Sequence, residues 1–354
     1  MARVNQSKEY TENQITGFLN KSRINATDVF EAPPIILKVD DSIIGTLGNF
    51  SSSTGKAKSK KTFNISAIAA AAIKNGEVLN YSASFPEEKR NVILIDTEQS
   101  KFHCKRVIDR ILKMSGYEKG VQPPNFSFYG LRPYSPALRI LIIEQIIKIS
   151  QNIGLIIIDG IRDLAYDINN SHEATEVITK LMQWTEIDNI HIHTVLHQNK
   201  TDNNSRGHLG TELNNKSETV LKITVPDNQK EVSIVESEFI RDRDFEPFAF
   251  SINEAGLPEI DNNFECSVSS TKKDKEPIDY GSQTHYKFLN DIYSNGKKTE
   301  FSFNEMCVEL KKTALKYNIK LADKMVRNFV HFYSQNGYLD NLGSEKRNRL
   351  IYSK

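Results

Sequence analysis

A stretch that begins at residue 55 has the residue types and the spacing of a loop that binds phosphate. Residues 55–62 are Gly-Lys-Ala-Lys-Ser-Lys-Lys-Thr, and the usual pattern is glycine, four variable residues, glycine, lysine, and serine or threonine. In such a loop Lys61 would reach the β- and γ-phosphates of a nucleotide, and the Thr62 hydroxyl would ligate Mg²⁺. One position departs from the pattern, because Lys60 stands where the second glycine belongs.

The segments beside this loop fit a phosphate-binding role. Residues 43–47 are predicted as a strand before the loop, and residues 63–73 as a helix whose N-terminal dipole faces the phosphates. The alternative is a basic, serine-rich surface turn, and Lys60 favours it because a Cβ is disfavoured where glycine is usual. The nucleotide-binding residues predicted by the motif are Gly55, Lys56, Ala57, Lys58, Ser59, Lys60, Lys61, Thr62 and Phe63.

Three later segments are predicted as strands, the first two of them mainly apolar, and they alternate with helical patterns. Strands of this kind are buried on both faces, and their alternation with helices indicates a parallel α/β sheet. In such sheets ligands bind at the carboxyl ends of the strands. The strands are predicted over residues 91–96, 153–160 and 190–198, and the helices over residues 101–114, 136–151 and 172–186.

Three polar residues follow these strands, at the edge where the loop is also expected. Asp159 could hold Mg²⁺, or it could be an ordinary strand-end acid. Glu98 could act as general base on the attacking water, or it could be an acid favoured near a helix N-terminus. Gln198 could sense the γ-phosphate through a hydrogen bond, or it could simply end its strand. Together with Lys61, these residues predict the catalytic site of a nucleotide-driven enzyme.

The order of these parts resembles a known family. An acid after the second strand, at Glu98, rather than beside Asp159, is similar to the arrangement of RecA-like ATPases. Residues 196–200 and 205–213 resemble plasmid RepA-type and DnaB-type hexameric helicases, in which a polar sensor precedes a mobile loop and an Arg-Gly-rich helix start. The resemblance covers roughly residues 35–255. A further resemblance is to P-loop ATPases of bacterial mobile elements, which accept a basic residue at the position of Lys60.

The resemblance implies cofactors, partners and further site residues. ATP and Mg²⁺ would be the cofactors, and the protein would form a homo-oligomer such as a hexamer. Arg241 and Arg243 would be arginine fingers that reach the γ-phosphate held by the neighbouring subunit, and Arg243 is the better match. Two surface arginines that pair with nearby acids are the alternative. Lys200 and Arg206, in the loop after the sensor, would contact single-stranded DNA.

Composition and cysteine spacing restrict the class of protein. The chain has 354 residues, 38% of them hydrophobic and 26% charged, which is enough for two domains with a sizeable core. The three cysteines have neither metal-site nor disulfide spacing, so a reducing cytoplasm is expected. Apolar runs of about nine residues are too short to cross a bilayer, so no membrane association is expected. Histidines 191, 193 and 197 share one face of a strand, where a metal site is conceivable but strand histidines near a polar edge are commoner.

The C-terminal part of the chain differs from the rest in charge. Residues 271–354 hold 16 Lys and Arg against 10 Asp and Glu, whereas the whole chain has a net charge of +1. Helices are predicted over residues 285–293, 304–317 and 322–336, followed by a hairpin over residues 338–352. This order is typical of a winged helix, which binds duplex or forked DNA or another protein. The residues predicted to contact DNA here are Lys324, Arg327, Lys346, Arg347 and Arg349.

We therefore expect an α/β fold with a RecA-like P-loop NTPase core and a mainly parallel sheet, followed by a small α+β winged-helix domain. The predicted boundaries are an N-terminal arm over residues 1–33, the core over residues 34–258, a linker over residues 259–282 and the winged helix over residues 283–354. The expected function is ATP hydrolysis coupled to DNA, as a helicase or loader in replication or mobilisation of a mobile element. The alternatives are a non-catalytic DNA-binding regulator and a nucleotide-switched assembly factor.

Overall fold

The computed structural model describes residues 10–198, 207–226, 228–261, 264, 277, 282–294, 298–317, 319, 321–343 and 349–352. The chain divides into two units, residues 1–265 and residues 266–354. The predicted DNA contacts Lys200, Arg206, Lys346 and Arg347 lie outside the described residues.

The first unit is built from alternating strands and helices. In chain order they are α1 (Glu12–Ser22), β1 (Ile35–Val39), β2 (Ser42–Thr46), β3 (Phe50–Gly55), α2 (Lys61–Lys74), β4 (Glu77–Val78), β5 (Tyr81–Ala83), β6 (Asn91–Asp96), α3 (Lys101–Met114), β7 (Phe126–Gly130), α4 (Pro136–Ile149), β8 (Ile153–Asp159), α5 (Ser171–Asp188), β9 (His191–His197), α6 (Gly207–Lys216), β10 (Thr219–Thr224), β11 (Val232–Ile240), β12 (Phe248–Ile252) and β13 (Pro258–Ile260). The last strand ends two residues beyond the core boundary expected at residue 258.

Nine strands form a central sheet in the order β13-β12-β11-β10-β3-β9-β8-β6-β7. All pairs from β10 to β7 are parallel, whereas β11, β12 and β13 extend the sheet by antiparallel pairing. Neighbouring side chains on β6 and β8 point into opposite layers: Leu94 packs in one hydrophobic cluster and Ile95 in the other. Burial on both faces explains why these strands are apolar throughout, and it confirms the predicted mainly parallel sheet.

Residues 43–47, predicted as the strand before the phosphate loop, lie mostly in a strand, but that strand does not lead into the loop. Residues 42–46 form β2, which belongs to a separate four-stranded sheet, and the strand that enters the loop is β3. The sequence of β3, Phe-Ser-Ser-Ser-Thr-Gly, does not have the apolar character of a buried strand, yet all six residues are buried. Two of its three serines bond to β9, because Ser51 Oγ lies 2.7 Å from His191 Nε2 and Ser53 Oγ lies 2.8 Å from His193 Nε2.

These contacts also define the role of the histidines on β9. His191 and His193 are buried, and their ring nitrogens contact serine hydroxyls and the carbonyl oxygen of Thr46. Within the described part of the chain, no three histidine, cysteine or acidic side chains are grouped as a metal site would need. The two histidines are therefore hydrogen-bonding core residues that join β3 to β9.

Acid is expected to destabilise this core through the two histidines. Burial lowers the pKa of His191, and burial together with the charge of His191 lowers the pKa of His193 to about 3. Both are neutral in the folded protein and take up protons on unfolding below about pH 6.5. Their contribution to the free energy of unfolding is therefore fully present above that pH. Below it, the free energy of unfolding should fall by up to about 1.4 kcal/mol per pH unit for each histidine.

Chemical unfolding of the first unit between pH 7 and pH 5 measures this loss. His193→Gln should give a shallower pH dependence than the wild type, whereas His172→Gln, which alters an exposed histidine, should not. Equal slopes for wild type and His193→Gln would contradict the assignment.

The second unit contains three helices followed by a hairpin. The elements are α7 (Ser282–Ser294), α8 (Phe303–Lys316), α9 (Asp323–Gln335), β14 (Leu339–Asn341) and β15 (Leu350–Tyr352). The helices enclose a core that includes Phe288, Leu310 and Phe329. β14 and β15 pair antiparallel, and a single bridge joins Phe301 to Leu350.

The N-terminal helix α1 stands apart from the core. A capping box formed by Thr11 and Gln14 starts the helix, but none of its residues is buried. Ile15, Phe18 and Leu19 expose more than half of their surface. None of the helices in the described ranges is both long and apolar enough to span a membrane.

Candidate functional site

A cleft of about 430 Å³ lies at the carboxyl edge of the parallel strands. The loop from β3 to α2 forms one side, and α3 forms the other. Glu98 follows β6, Asp159 ends β8 and His197 ends β9, and all three side chains line the cleft. The parallel topology therefore brings together residues that are up to 139 positions apart in the sequence.

The loop has the close approaches of a phosphate-binding turn. A Cβ on Gly55 would lie 2.3 Å from the carbonyl oxygen of Ile223, so only glycine fits there. Lys60 has φ +64° and ψ +29°, a left-handed conformation that costs a non-glycine residue about 1–2 kcal/mol. Ser59 Oγ is buried and has no hydrogen-bond partner among the described residues. An unsatisfied buried hydroxyl beside the N-terminus of α2 fits an anion that would accept its hydrogen bond.

Lys61 is held inside this loop. Its ammonium donates to the carbonyl oxygens of Gly55 and Lys56, each at 2.9 Å. Burial lowers the pKa of Lys61 to about 8, although the charges of Asp159 and Glu98 partly oppose the shift. The ammonium therefore sits beside the backbone of the loop, where a phosphate could replace the two carbonyl groups as its partner.

Thr62 and Asp159 form a pair of hard oxygen ligands. The Thr62 hydroxyl donates to Asp159 Oδ2 at 3.0 Å. Burial, and then the charge of Asp96 on the adjacent strand, raise the pKa of Asp159 to about 7. A divalent cation would relieve this cost, and Mg²⁺ commonly uses one or two protein oxygens together with substrate phosphates. The residues present thus fit Mg²⁺, with Thr62 and Asp159 as its protein ligands.

Asp96 fixes the turn that carries Glu98. The buried Asp96 carboxylate accepts hydrogen bonds from the backbone amides of Glu98 and Gln99 at 2.9 and 2.7 Å, and from Gln99 Nε2 at 2.6 Å. Gly160 leaves room for this turn, because a Cβ there would lie 2.2 Å from Thr97 Oγ1 and 3.1 Å from Glu98 Cγ. Its φ of +100° also favours glycine. Sequence reasoning missed Asp96, although an acid at the end of an apolar strand is a detectable signal.

Glu98 is ionised and faces the cleft. Its Oε1 lies 3.7 Å from His197 Nε2, and this interaction is the main cause that lowers the pKa of Glu98. The charges of Lys61 and Arg162 act in the same direction. An ionised carboxylate across the cleft from the phosphate loop can accept a proton from a water molecule.

At the end of β9, the side chain that faces the cleft is His197 rather than Gln198. Alternate residues of a strand point to opposite faces. Gln198 is buried, its Nε2 lies 3.5 Å from Thr54 Oγ1, and it lines a second cleft of about 670 Å³ on the other side of the loop. Its role as a γ-phosphate sensor stays a prediction.

Arg241 and Arg243 lie far from this chain's own cleft. β11 is antiparallel to β10, so its end at Ile240 points to the edge opposite the phosphate loop. Both arginines are exposed, and no acid among the described residues lies within ion-pair distance of either. Arg241 donates to the carbonyl oxygen of Lys216 at 3.3 Å. The sheet topology therefore separates them from the cleft of their own chain, and their role as arginine fingers stays a prediction.

The α3 side of the cleft is basic, and sequence reasoning missed it. His103, Arg106 and Arg110 line the cleft at helical spacing. The Arg110 guanidinium lies 3.6 Å from the ring centre of Phe63, and its Nε is buried without a partner among the described residues. Burial, and then the charge of Arg106, lower the pKa of Arg110 to about 10. Three basic residues at i, i+3 and i+7 were the signal that could have revealed this wall.

The predicted DNA contacts of the second unit differ in their surroundings. Lys324 and Arg327 are exposed on α9. Arg349 is bound by Glu300 through two hydrogen bonds, Nε to Oε2 at 2.9 Å and Nη2 to Oε1 at 2.6 Å. Its charge is therefore partly neutralised within the unit.

No protein-family model matches this chain, and no curated protein matches it. Among solved structures, the chain is similar to the crystal structure of the RadB recombinase, with 14% sequence identity and a TM-score of 0.42. The match covers 59% of this chain and 90% of that chain. A likeness this distant says nothing about the substrate, so the chemistry of the cleft is inferred from its own side chains.

Proposed function

We propose that the first unit is a RecA-like ATPase that binds ATP with Mg²⁺ and hydrolyses it. The observation that carries this proposal is the meeting of four groups in one cleft. The Thr62 hydroxyl and the Asp159 carboxylate are 3.0 Å apart, and the Lys61 ammonium and the Glu98 carboxylate line the same cleft. The Ser59 hydroxyl, which has no hydrogen-bond partner in the part of the chain that the structure describes, and the basic α3 wall also favour an anionic ligand there.

The residues of the cleft have different roles in the proposed hydrolysis of ATP. Lys61 exchanges its two carbonyl partners for the β- and γ-phosphates, and the loop amides bind the same phosphates. Thr62 and Asp159 would hold Mg²⁺, which when bound neutralises charge on the phosphates. Glu98 orients the attacking water in line with the γ-phosphate and takes its proton. Asp96 positions Glu98 through the bonds to the turn.

Lys61→Met should weaken nucleotide binding. A hydrogen bond to a charged group contributes about 1.5–3 kcal/mol, so the loss should be about 10- to 150-fold. Titration of a fluorescent ATP analogue with Mg²⁺ measures the affinity, and Lys74→Met, at the exposed end of α2, is the matched control. Equal affinities for wild type and Lys61→Met, or no binding by the wild type, would contradict the proposed site.

We propose that the second unit is a winged helix that binds DNA through α9. The lysines of α8 are paired with acids: Lys311 with Asp323, Lys312 with Glu309 and Lys316 with Asp291. Lys324 and Arg327 have no such pair among the described residues, and the net charge of this part of the chain is positive. Exposed, unpaired cations on one helix favour phosphate as their partner.

Arg327→Ala should reduce the salt dependence of DNA binding. Loss of one phosphate contact should lower the slope of log affinity against log salt by about 1. The measurement is a fluorescence-anisotropy titration at several salt concentrations with duplex and forked DNA. Lys316→Ala removes a lysine that is already paired, so its slope should match the wild type. An unchanged slope in Arg327→Ala would argue against a phosphate contact by this residue.

The work of the ATPase is proposed to be on DNA, as a helicase or loader assembled from several copies. One observation favours a second candidate, a nucleotide-switched assembly factor that hydrolyses slowly: Lys60 strains the loop where glycine is usual. Turnover separates the two. ATPase activity stimulated by single-stranded DNA supports the motor, and nucleotide binding without turnover supports the switch.

A further inference from the structure

Lys60 departs from the phosphate-loop pattern and borders the cleft, but its ammonium is bound by backbone carbonyl groups of a distant turn. The ammonium donates to the carbonyl oxygens of Lys230 and Glu231, each at 3.0 Å. These carbonyls belong to the turn that joins β10 to β11. Lys60 is only partly exposed, and its backbone is left-handed, with φ +64°. The Lys60 ammonium is therefore not a free solvated group, because two backbone carbonyl groups bind it.

Other contacts join the same two segments. Ser233 Oγ, on β11, donates to the carbonyl oxygen of Ser59 at 3.3 Å. Gly55 approaches the carbonyl oxygen of Ile223, on β10, so closely that no Cβ fits. The start of the loop thus contacts β10, and its end contacts β11 and the turn before it. Because the loop amides are the groups that meet phosphate, contacts that fix the backbone at residues 59–60 also fix the direction of those amides.

We propose that Lys60 is a positioning residue that ties the phosphate loop to the β10–β11 turn. The tie holds the left-handed backbone that a glycine would otherwise adopt without strain, and it couples nucleotide binding to the order of the turn. Hydrogen bonds from an ammonium are among the strong ones, so two of them can hold a loop in an unfavourable conformation. The coupling is reciprocal, since a nucleotide that orders the loop must also order the turn.

The direction of the pKa shift of Lys60 agrees with a side chain that is held against the turn. Burial lowers the pKa of Lys60, while Glu231, next to the accepting carbonyls, acts in the opposite direction. A lysine that extended into water would not be desolvated in this way.

Hydrogen exchange of the full-length protein without nucleotide tests the tie. Lys60→Met and Lys60→Gly should each accelerate exchange of the amides of residues 228–236 by about tenfold or more, because a charged hydrogen-bond donor is lost. Lys60→Arg, which can still donate to both carbonyls, should retain protection. Lys74→Met, at the exposed end of α2 and outside the loop, should leave exchange of this turn unchanged. Unchanged exchange in Lys60→Met would overturn the proposal.

Nucleotide affinity tests the coupling, which rests on the proposed ATP site. Lys60→Gly should bind a fluorescent ATP analogue with Mg²⁺ more weakly than the wild type, although glycine removes the strain, and Lys60→Arg should restore binding. ATP should slow exchange of the turn in the wild type and not in Lys60→Met. Equal or tighter binding by Lys60→Gly would overturn the coupling. A wild type that binds no nucleotide would reject the ATP site itself, while exchange without nucleotide would still decide the tie.

Discussion

Glu98→Gln should slow ATP hydrolysis by about 10²- to 10⁴-fold, the range for loss of a general base, while nucleotide still binds. The amide keeps the size of the carboxylate but cannot take a proton from water. Glu98 is suited to this role because it is ionised, faces the phosphate loop across the cleft, and has its turn fixed by Asp96. Single-turnover hydrolysis measures the chemical step, and the fluorescent analogue measures binding in the same preparation.

The competing explanation for Glu98 is an acid that merely favours the N-terminus of α3, which begins three residues later. That role concerns stability and predicts a small loss of about 0.3–1 kcal/mol without a change in turnover. Glu88→Gln, at an exposed acid outside the cleft, is the matched control. Hydrolysis at the wild-type rate by Glu98→Gln would support the stability role.

The interaction of Glu98 with His197 provides a second readout of the same carboxylate. His197 is the main cause of the lowered pKa of Glu98. His197→Ala should therefore shift the acidic limb of the rate profile toward higher pH, because the base then becomes protonated earlier as pH falls. Glu98→Gln has no carboxylate at this position, so it has no corresponding acidic limb to shift. An acidic limb that His197→Ala leaves at the wild-type pH would contradict the role of Glu98 as the base.

The parts of the fold that follow regular patterns can be predicted from the sequence. The helical pattern over residues 101–114 matches α3 at both ends, and the apolar run over residues 91–96 matches β6. Both patterns are local, because the spacing of apolar residues along the chain shows whether a helix is buried on one face or a strand on both faces. The strand ends then place Glu98 and Asp159 at one edge, because parallel strands share an edge.

The parts that depend on distant partners could not be predicted in this way. β3 is rich in serine, and its burial depends on histidines of β9 that lie 140 residues away. The position of His197 in the cleft depends on the pleat of β9, and a shift by one residue exchanges it with Gln198. The partner of Lys60 is a turn 170 residues later. Each of these contacts is set by the tertiary fold and leaves no local pattern.

Arg243→Ala should lower turnover by about 10³- to 10⁵-fold, the range for removal of an arginine finger. In one chain this contact is impossible, because β11 carries Arg243 to the sheet edge opposite the phosphate loop, and nine strand residues span roughly 30 Å. A contact between opposite edges of two copies is head-to-tail, and such contacts generate rings or filaments. Arg243 is exposed and forms no ion pair with the residues that the structure describes, which agrees with a partner on another copy.

Mixing two inactive variants separates a finger supplied by the neighbour from a residue needed within its own chain. Lys61→Met removes the phosphate site and keeps the finger, whereas Arg243→Ala keeps the site and removes the finger. In mixed assemblies an intact site meets an intact finger at some interfaces, so activity should rise above that of either variant alone. Addition of Lys61→Met/Arg243→Ala, which offers neither group, should give no such rise. A mixture no more active than its parents would place the effect of Arg243 inside its own chain, most simply on the packing of the strand end that carries it.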